Sequence, residues 1–138
     1  YNKRHGMRFL VLSLEGDGYA VPIEGLLEIT VPRDMLKDGS LTDSFEGKFE
    51  YRGKWIPVLN LKKALKLSGN PGSALLVMKS GKGDLGLLVD AVMEILDTEA
   101  RPLPVPRGVM NPSLPYYRGI VRHKGGLIFV LNEDGLLA

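Results

Sequence analysis

Gly81-Lys82-Gly83-Asp84-Leu85-Gly86 spells G-x-G-x-x-G, the spacing of a dinucleotide-binding loop. Such a loop holds a pyrophosphate because a helix N-terminus opens inside it and turns amide groups on the phosphates. Here Leu85 to Val89 continue as an apolar, strand-like run, so the segment reads as a hairpin turn. The histidines, His5 and His123, have no carboxylate at ligand spacing beside them and the chain has no cysteine, so nothing gathers a metal. No serine lies in a G-x-S-x-G elbow, and neither histidine is placed as a general base. Glu15 and Asp17 fall in a turn, where solvation explains them. The expectation is no catalytic residue, no metal and no cofactor.

The residues better suited to chemistry are those that recognise a partner. Arg52 stands before Gly53 at a strand-to-turn junction, where its planar fork of donors can grip a carboxylate. Glu28 lies within an apolar stretch, between Leu27 and Ile29, and if buried it needs a partner, for which Arg52 is the candidate. Trp55 belongs to the core by its place in an alternating strand, with an interface anchor as the alternative reading.

These residues sit in a chain that repeats itself. Tyr19 to Ile29 align without gaps on Leu85 to Ile95, an offset of 66 residues, and Gly47 to Asn60 align on Gly119 to Asn132, an offset of 72. Each first block is preceded by another apolar run and a Gly/Asp turn, which makes a hairpin; each second block reads as strand, tight turn, strand. Short helical tails follow, Leu61 to Leu67 and Glu133 to Leu137, and the connections Pro32 to Glu46 and Thr98 to Arg118 are long enough to be functional or mobile. Residues 1–7 read as an N-terminal tail or cloning remnant, and 8–138 as one domain of two units, about 8–68 and 73–138. Units this small bury little surface alone, so their apolar faces pack together or exchange strands. An all-β fold closed into small barrels would remove exposed edges. In the repeat Glu94 takes the place of Glu28 and Lys124 that of Arg52, so the half carrying Arg52 is expected to specify docking.

Composition narrows the function classes. The 138 residues are 44% hydrophobic and 25% charged, values of a globular domain, and 17 glycines and 9 prolines favour many short strands. Eighteen basic residues against 16 acidic leave a net charge of +2, with no basic run to follow a phosphate backbone. A nucleic-acid-binding barrel is the competing class, suggested by a pI near 8.9 and by Tyr116-Tyr117-Arg118 and Tyr51-Arg52. No apolar run approaches the roughly 20 residues of a membrane span, and the absence of cysteine suits a cytoplasmic protein.

From Arg8 to Leu137 the sequence resembles the CheW-like domain family. The likeness is carried by Leu26-Leu27-Glu28-Ile29, by Arg52-Gly53 followed by Ile56-Pro57-Val58-Leu59, by Gly86-Leu87-Leu88-Val89-Asp90, and by Gly126 to Leu131. The resemblance implies two intertwined five-stranded SH3-like β-barrels and a non-enzymatic adaptor in chemotaxis-type signalling. Its implied partners are the regulatory domain of a CheA-type histidine kinase and the cytoplasmic tip of methyl-accepting chemotaxis receptors, which would recruit a cytoplasmic protein to membrane receptor arrays without inserting it. A diverged adaptor of a non-chemotactic two-component pathway is the alternative within the family. Carried over by position, the partner-facing residues would be Leu26, Glu28, Gly47, Arg52, Gly53, Val92 and Ile95, with Gly47 allowing close approach of a partner's backbone. Glu50-Tyr51 stands where the family has Asn-Leu, and Asn60 and Lys62 stand where it has Asp and Arg.

Overall fold

The computed structural model describes residues 7–40, 43–81, 83–98, 103 and 117–132. The tail before Met7, His5, Tyr116, the segment Glu133 to Leu137 and most of the second long connection lie outside the described residues.

Ten strands form two sheets. The first half contributes β1 (Met7–Leu14), β2 (Asp17–Pro22), β3 (Leu26–Thr30), β4 (Phe45–Tyr51) and β5 (Lys54–Asn60). The second contributes β6 (Ala74–Ser80), β7 (Gly83–Val89), β8 (Ala91–Thr98), β9 (Tyr117–His123) and β10 (Gly126–Leu131). One sheet runs β8-β1-β2-β10-β9, and the other β3-β6-β7-β5-β4. The leading hairpin of each half is therefore flanked by the last three strands of the other half, so the halves exchange strands in full.

The internal repeat extends to irregularities of register. A bulge displaces Leu27 between the pairs Leu26↔Met78 and Glu28↔Val77, and a second displaces Met93 between Val92↔Leu12 and Glu94↔Val11. The parallel contact Val58↔Gly86 has its counterpart in Val130↔Ala20. Gly86, the last glycine of the G-x-G-x-x-G string, lies in the middle of β7, where an added Cβ would come 2.9 Å from Leu75 Cδ1. No helix opens in that segment, so its glycines serve a hairpin and a close strand contact.

Residues on the leading hairpins are buried on both faces. In β1, Leu10, Leu12 and Leu14 enter a core shared by the two sheets, together with Leu76, Met78, Leu85 and Leu87. Phe9 and Val11 point the other way, into a smaller cluster with Ala20, Val121, Ile128 and Val130. Val58, Leu75 and Leu88 form the matching cluster of the second sheet. This two-sided burial is why these strands read as unbroken apolar runs.

The sheets are not closed into barrels, contrary to the expectation from sequence. Closure would pair β8 with β9 and β3 with β4, and neither pairing occurs: these four strands are the sheet edges. On β4 the outward backbone groups of Lys48 are already committed. Lys48 lies opposite Pro57, which has no N–H, and exchanges both its backbone hydrogen bonds with Leu36 at 2.9 and 2.7 Å. Ile120 of β9 does the same with Leu103, at 2.8 Å each way. Leu36 and Leu103 thus each pair with one residue on an outer strand, and the bulges at Leu27 and Met93 interrupt regular pairing at the opposite edges.

Candidate functional site

The sequence-derived partner residues divide among four places. Leu26 and Val92 are repeat equivalents, each half-buried against the shared core beside its bulge. Glu28 on β3 and Ile95 on β8 are exposed, on the edges of different sheets. Arg52 and Gly53 form the exposed β4–β5 turn.

Gly47 is buried, and its role differs from the one expected. At φ +147 it occupies a backbone region that side chains avoid, and a Cβ there would collide with the carbonyl oxygen of Leu36. Its closeness is to this chain's own edge-covering loop. The pairing of Lys48 with Leu36 next door depends on that space.

Arg52 and Gly53 are the central residues of a two-residue hairpin loop, with φ of 50° and 79° and Tyr51 paired to Lys54. Positive φ at both positions is the mark of a type I′ turn, whose twist matches that of the flanking strands. Lys124 and Gly125 repeat the geometry at 51° and 78°. The left-handed region disfavours any side chain other than Asn, Asp or Gly, by about 1–2 kcal/mol, so an arginine and a lysine there sit against local preference.

The two turns differ in what their charges meet. Lys124 Nζ lies 3.5 Å from Glu94 Oε2, which also meets His123 Nε2 at 3.0 Å. The hydrogen bond from His123 lowers the Glu94 pKa below its ordinary range, partial desolvation opposes it, and the Lys124 charge adds to the lowering. Side chains thus bridge β8 and β9, the two edges that no backbone ladder joins. In the first half the anticipated pair does not form: among the described residues Arg52 has no ion pair with Glu28, and its guanidinium carbon lies 5.3 Å from the Tyr51 ring centroid. A cleft of about 390 Å³ opens there, lined by Leu27, Tyr51, Arg52, Lys54, Lys79 and Asp84. Its counterpart, about 310 Å³, is lined by Arg122, His123, Lys124, Gly125, Gly126 and Leu127.

Exposed apolar side chains recur across the repeat. Trp55 is 45% exposed, so the core role expected from its alternation is replaced by a surface one. Its repeat equivalent Leu127 is 58% exposed, and the bulge residue Met93 61%. Leu27, Ile29 and Ile95 are exposed as well. Exposed apolar residues at repeat-equivalent positions mark candidate contact surfaces. Sequence reasoning missed Tyr51, Lys54, Lys79 and Asp84 as one group, because only the strand order β6-β7-β5-β4 brings them together. It also left His123 as a bland surface residue, although the repeat aligns it with Tyr51, beside the arginine already singled out.

A second charged cluster is structural. Lys62, only 2% exposed, lies in the single-turn helix α1 (Leu61–Ala64), capped by the Asn60 side chain. Its Nζ meets Asp90 Oδ1 at 2.6 Å and Glu15 Oε2 at 2.5 Å. Burial acts to lower the Lys62 pKa, but hydrogen bonds to Asp90 and Glu15 outweigh it and the pKa rises. Desolvation likewise pushes Asp90 up, and is overcome by Lys62 and by the backbone N–H of Glu15. Glu15 is therefore more than a solvated turn residue. Among the described residues no group of three or more histidines, cysteines, aspartates or glutamates could hold a metal, and no helix is long and apolar enough to cross a membrane.

Comparison with known proteins agrees with this architecture. Residues 8–138 match the model of the CheW-like domain. The chain is 28% identical over 133 residues to "Chemotaxis protein CheW" of Thermotoga maritima, covering 94% of this chain and 87% of that protein. It superposes with a TM-score of 0.82 on the crystal structure of the scaffolding protein TtCheW from Thermoanaerobacter tengcongensis, at 24% identity, covering 94% of this chain and 91% of that one. The second likeness concerns the fold alone. With the family model spanning nearly the whole sequence, the chain belongs to the CheW-like domain family, a family of non-enzymatic adaptors in chemotaxis-type signalling.

Proposed function

We propose that this chain couples a CheA-type histidine kinase, through the kinase's regulatory domain, to the cytoplasmic tip of methyl-accepting chemotaxis receptors. Proteins of the CheW family generally bridge these two partners. The observation that carries the reading is the family match over residues 8–138, on a chain whose sheet edges expose repeated apolar positions. Two partners need two surfaces, and a molecule built from two similar halves offers them at edges related by its internal repeat.

In this reading Glu28 on β3 and Arg52 and Gly53 at the β4–β5 turn serve the two edges of one sheet, and Ile95 on β8 an edge of the other. Leu26 and Val92 supply the apolar floor beside the bulges, while Gly47 acts indirectly by seating the Leu36 loop. Leu27, Ile29 and Trp55 join the first surface, and Met93 and Leu127 the second. Apolar anchors with a few charges to set register are how a helical partner docks in a groove. The protein then works at receptor arrays on the cytoplasmic side of the membrane. The test is co-elution of the purified chain with the kinase's regulatory domain and, separately, with a receptor-tip fragment. Failure to bind either one sinks the proposal.

A further inference from the structure

Neither half of this chain completes a sheet by itself. The two five-stranded sheets hold eight ladders, and only four of them are hairpins within a half. The other four join one half to the other: β1 with β8, β2 with β10, β3 with β6 and β5 with β7. The buried ion pair of Lys62 with Asp90 crosses between the halves in the same way. Only the linker Ser68 to Ser73 requires both halves to come from one molecule. We propose that a second copy of this chain satisfies all these contacts in a reciprocal dimer, the first half of each molecule completing the second half of the other, and that the path of the linker selects the monomer.

That path is a demanding one. Gly69 and Gly72 have φ of 121° and 112°, a region that side chains avoid, and a Cβ at Gly72 would collide with the carbonyl group of Val89. The obstruction is backbone, so no side-chain rotation relieves it. In the reciprocal dimer the linker leaves this path and runs from one body to the other. Its six residues, extended, span roughly 20 Å, enough to join two bodies set linker side to linker side. The exchange closes on itself with two-fold symmetry and leaves no half unpaired. It keeps the shared core, every ladder and the Lys62 pairing, and gives up only the packing of the linker. The native chain is then held as a monomer by proximity, because a short flexible linker presents one half to the other at about a millimolar. A dimer of this kind carries each sheet edge twice, which under the adaptor reading makes it bivalent for each partner.

The test adds a covalent mark to the exchange. Arg8 and Asp97 are paired across β1 and β8, 2.9 Å apart at their side chains and both exposed, and the chain has no cysteine of its own. Two chains are made, both with Gly72→Val, one also with Arg8→Cys and the other with Asp97→Cys, and they are unfolded and refolded together at micromolar concentration. The strain at position 72 acts on both linkers of two monomers and on neither linker of the dimer. The monomer–dimer midpoint is therefore expected to fall about a thousandfold, from millimolar to micromolar. Light scattering should give twice the monomer mass, with a dispersed native spectrum, and mild oxidation should join the two variants to each other. With the unaltered linker, the same thiols should stay unjoined in a monomer. A glycine-serine insertion after Asn70 that doubles the linker should return the Gly72→Val chain to a monomer, because the longer path avoids Val89.

A Gly72→Val chain that folds as a monomer overturns the proposal, as does one that stays unfolded at every concentration. So does a dimer whose thiols remain apart, which is side-by-side association, and so does a dimer that persists when the linker is doubled. Thiols that join at micromolar concentration through the unaltered linker refute its selecting role. None of these readouts involves a kinase or a receptor, so this inference and the adaptor reading fail separately.

Discussion

At the scale of single residues, Lys62 has the most demanding environment. A lysine this buried is tolerated because Asp90 and Glu15 meet it at 2.6 and 2.5 Å while remaining partly open to water themselves. Removing a partner strands the charge, whereas removing the lysine lets both carboxylates hydrate. Asp90→Asn should therefore cost about 2 kcal/mol of unfolding free energy, and Lys62→Met clearly less, in denaturant melts at neutral pH. The pH dependence has a definite sign. Asp90 has a lowered pKa in the folded state, so its contribution is present above the ordinary aspartate range and is lost as pH falls through the lowered value. Lys62 has a raised pKa, so its contribution is present below the ordinary lysine value and is lost as pH rises through the raised one. Melting temperature against pH should fall at both ends, and Asp90→Asn should flatten the acid limb. Gly47 gives a second residue-scale prediction: Gly47→Ala should lose about 2 kcal/mol or more, from the collision with Leu36 and the unfavourable φ. Loss of the Leu36 and Lys48 amide protection in hydrogen exchange would locate the damage.

At the scale of elements, turns and edges carry the recognition features. Three hairpins, at Glu15-Gly16, Arg52-Gly53 and Lys124-Gly125, have positive φ at both loop positions, and each has a charged residue where asparagine would be easier. Glu15 is explained by Lys62, and Lys124 by Glu94. Among the described residues Arg52 has Tyr51 beneath it and no ion pair to match the strain of its turn. Arg52→Asn is thus expected to stabilise the chain by about 0.5–1 kcal/mol while weakening binding of a receptor-tip fragment. A thermal melt and co-elution with that fragment check both halves of that statement, and a destabilised variant would mean that Arg52 has a structural role. Edge strands follow the same logic, since β4 and β9 are covered by Leu36 and Leu103 while β3 and β8 are left bulged and apolar. Open edges of that kind are usually blunted, so their exposure fits a surface kept for binding.

At the scale of the whole molecule, neither half can fold on its own sheet. Every leading hairpin lies between strands of the other half, and the shared core draws on both. Fragments 8–68 and 73–138 should each lack a cooperative melt at micromolar concentration, and mixing them should restore one with the spectrum of the intact chain. A lone fragment that melts cooperatively as a monomer would contradict the exchanged topology. The Lys62 cluster further ties the β1–β2 turn to α1 and Asp90.

Much of this was legible in the amino-acid sequence alone. Hairpins, the internal repeat, the all-β class and the family resemblance come from local turn chemistry and apolar periodicity, which act over a few residues and leave their pattern in the chain. Arg52 stood out for the same reason, as a charged residue in a glycine turn. What only the tertiary structure decided is which strands pair and which charges meet. The outer hydrogen bonds of Lys48 in β4 and Ile120 in β9 go to Leu36 and Leu103, contacts between residues far apart in the chain that no periodicity encodes. Trp55 is exposed although its strand alternates, because alternation tells which face a side chain takes and not whether a neighbour covers it. That Glu94 meets His123 and Lys124, while Glu28 and Arg52 form no ion pair among the described residues, was decided by contacts between strands far apart in the chain, which no local pattern encodes.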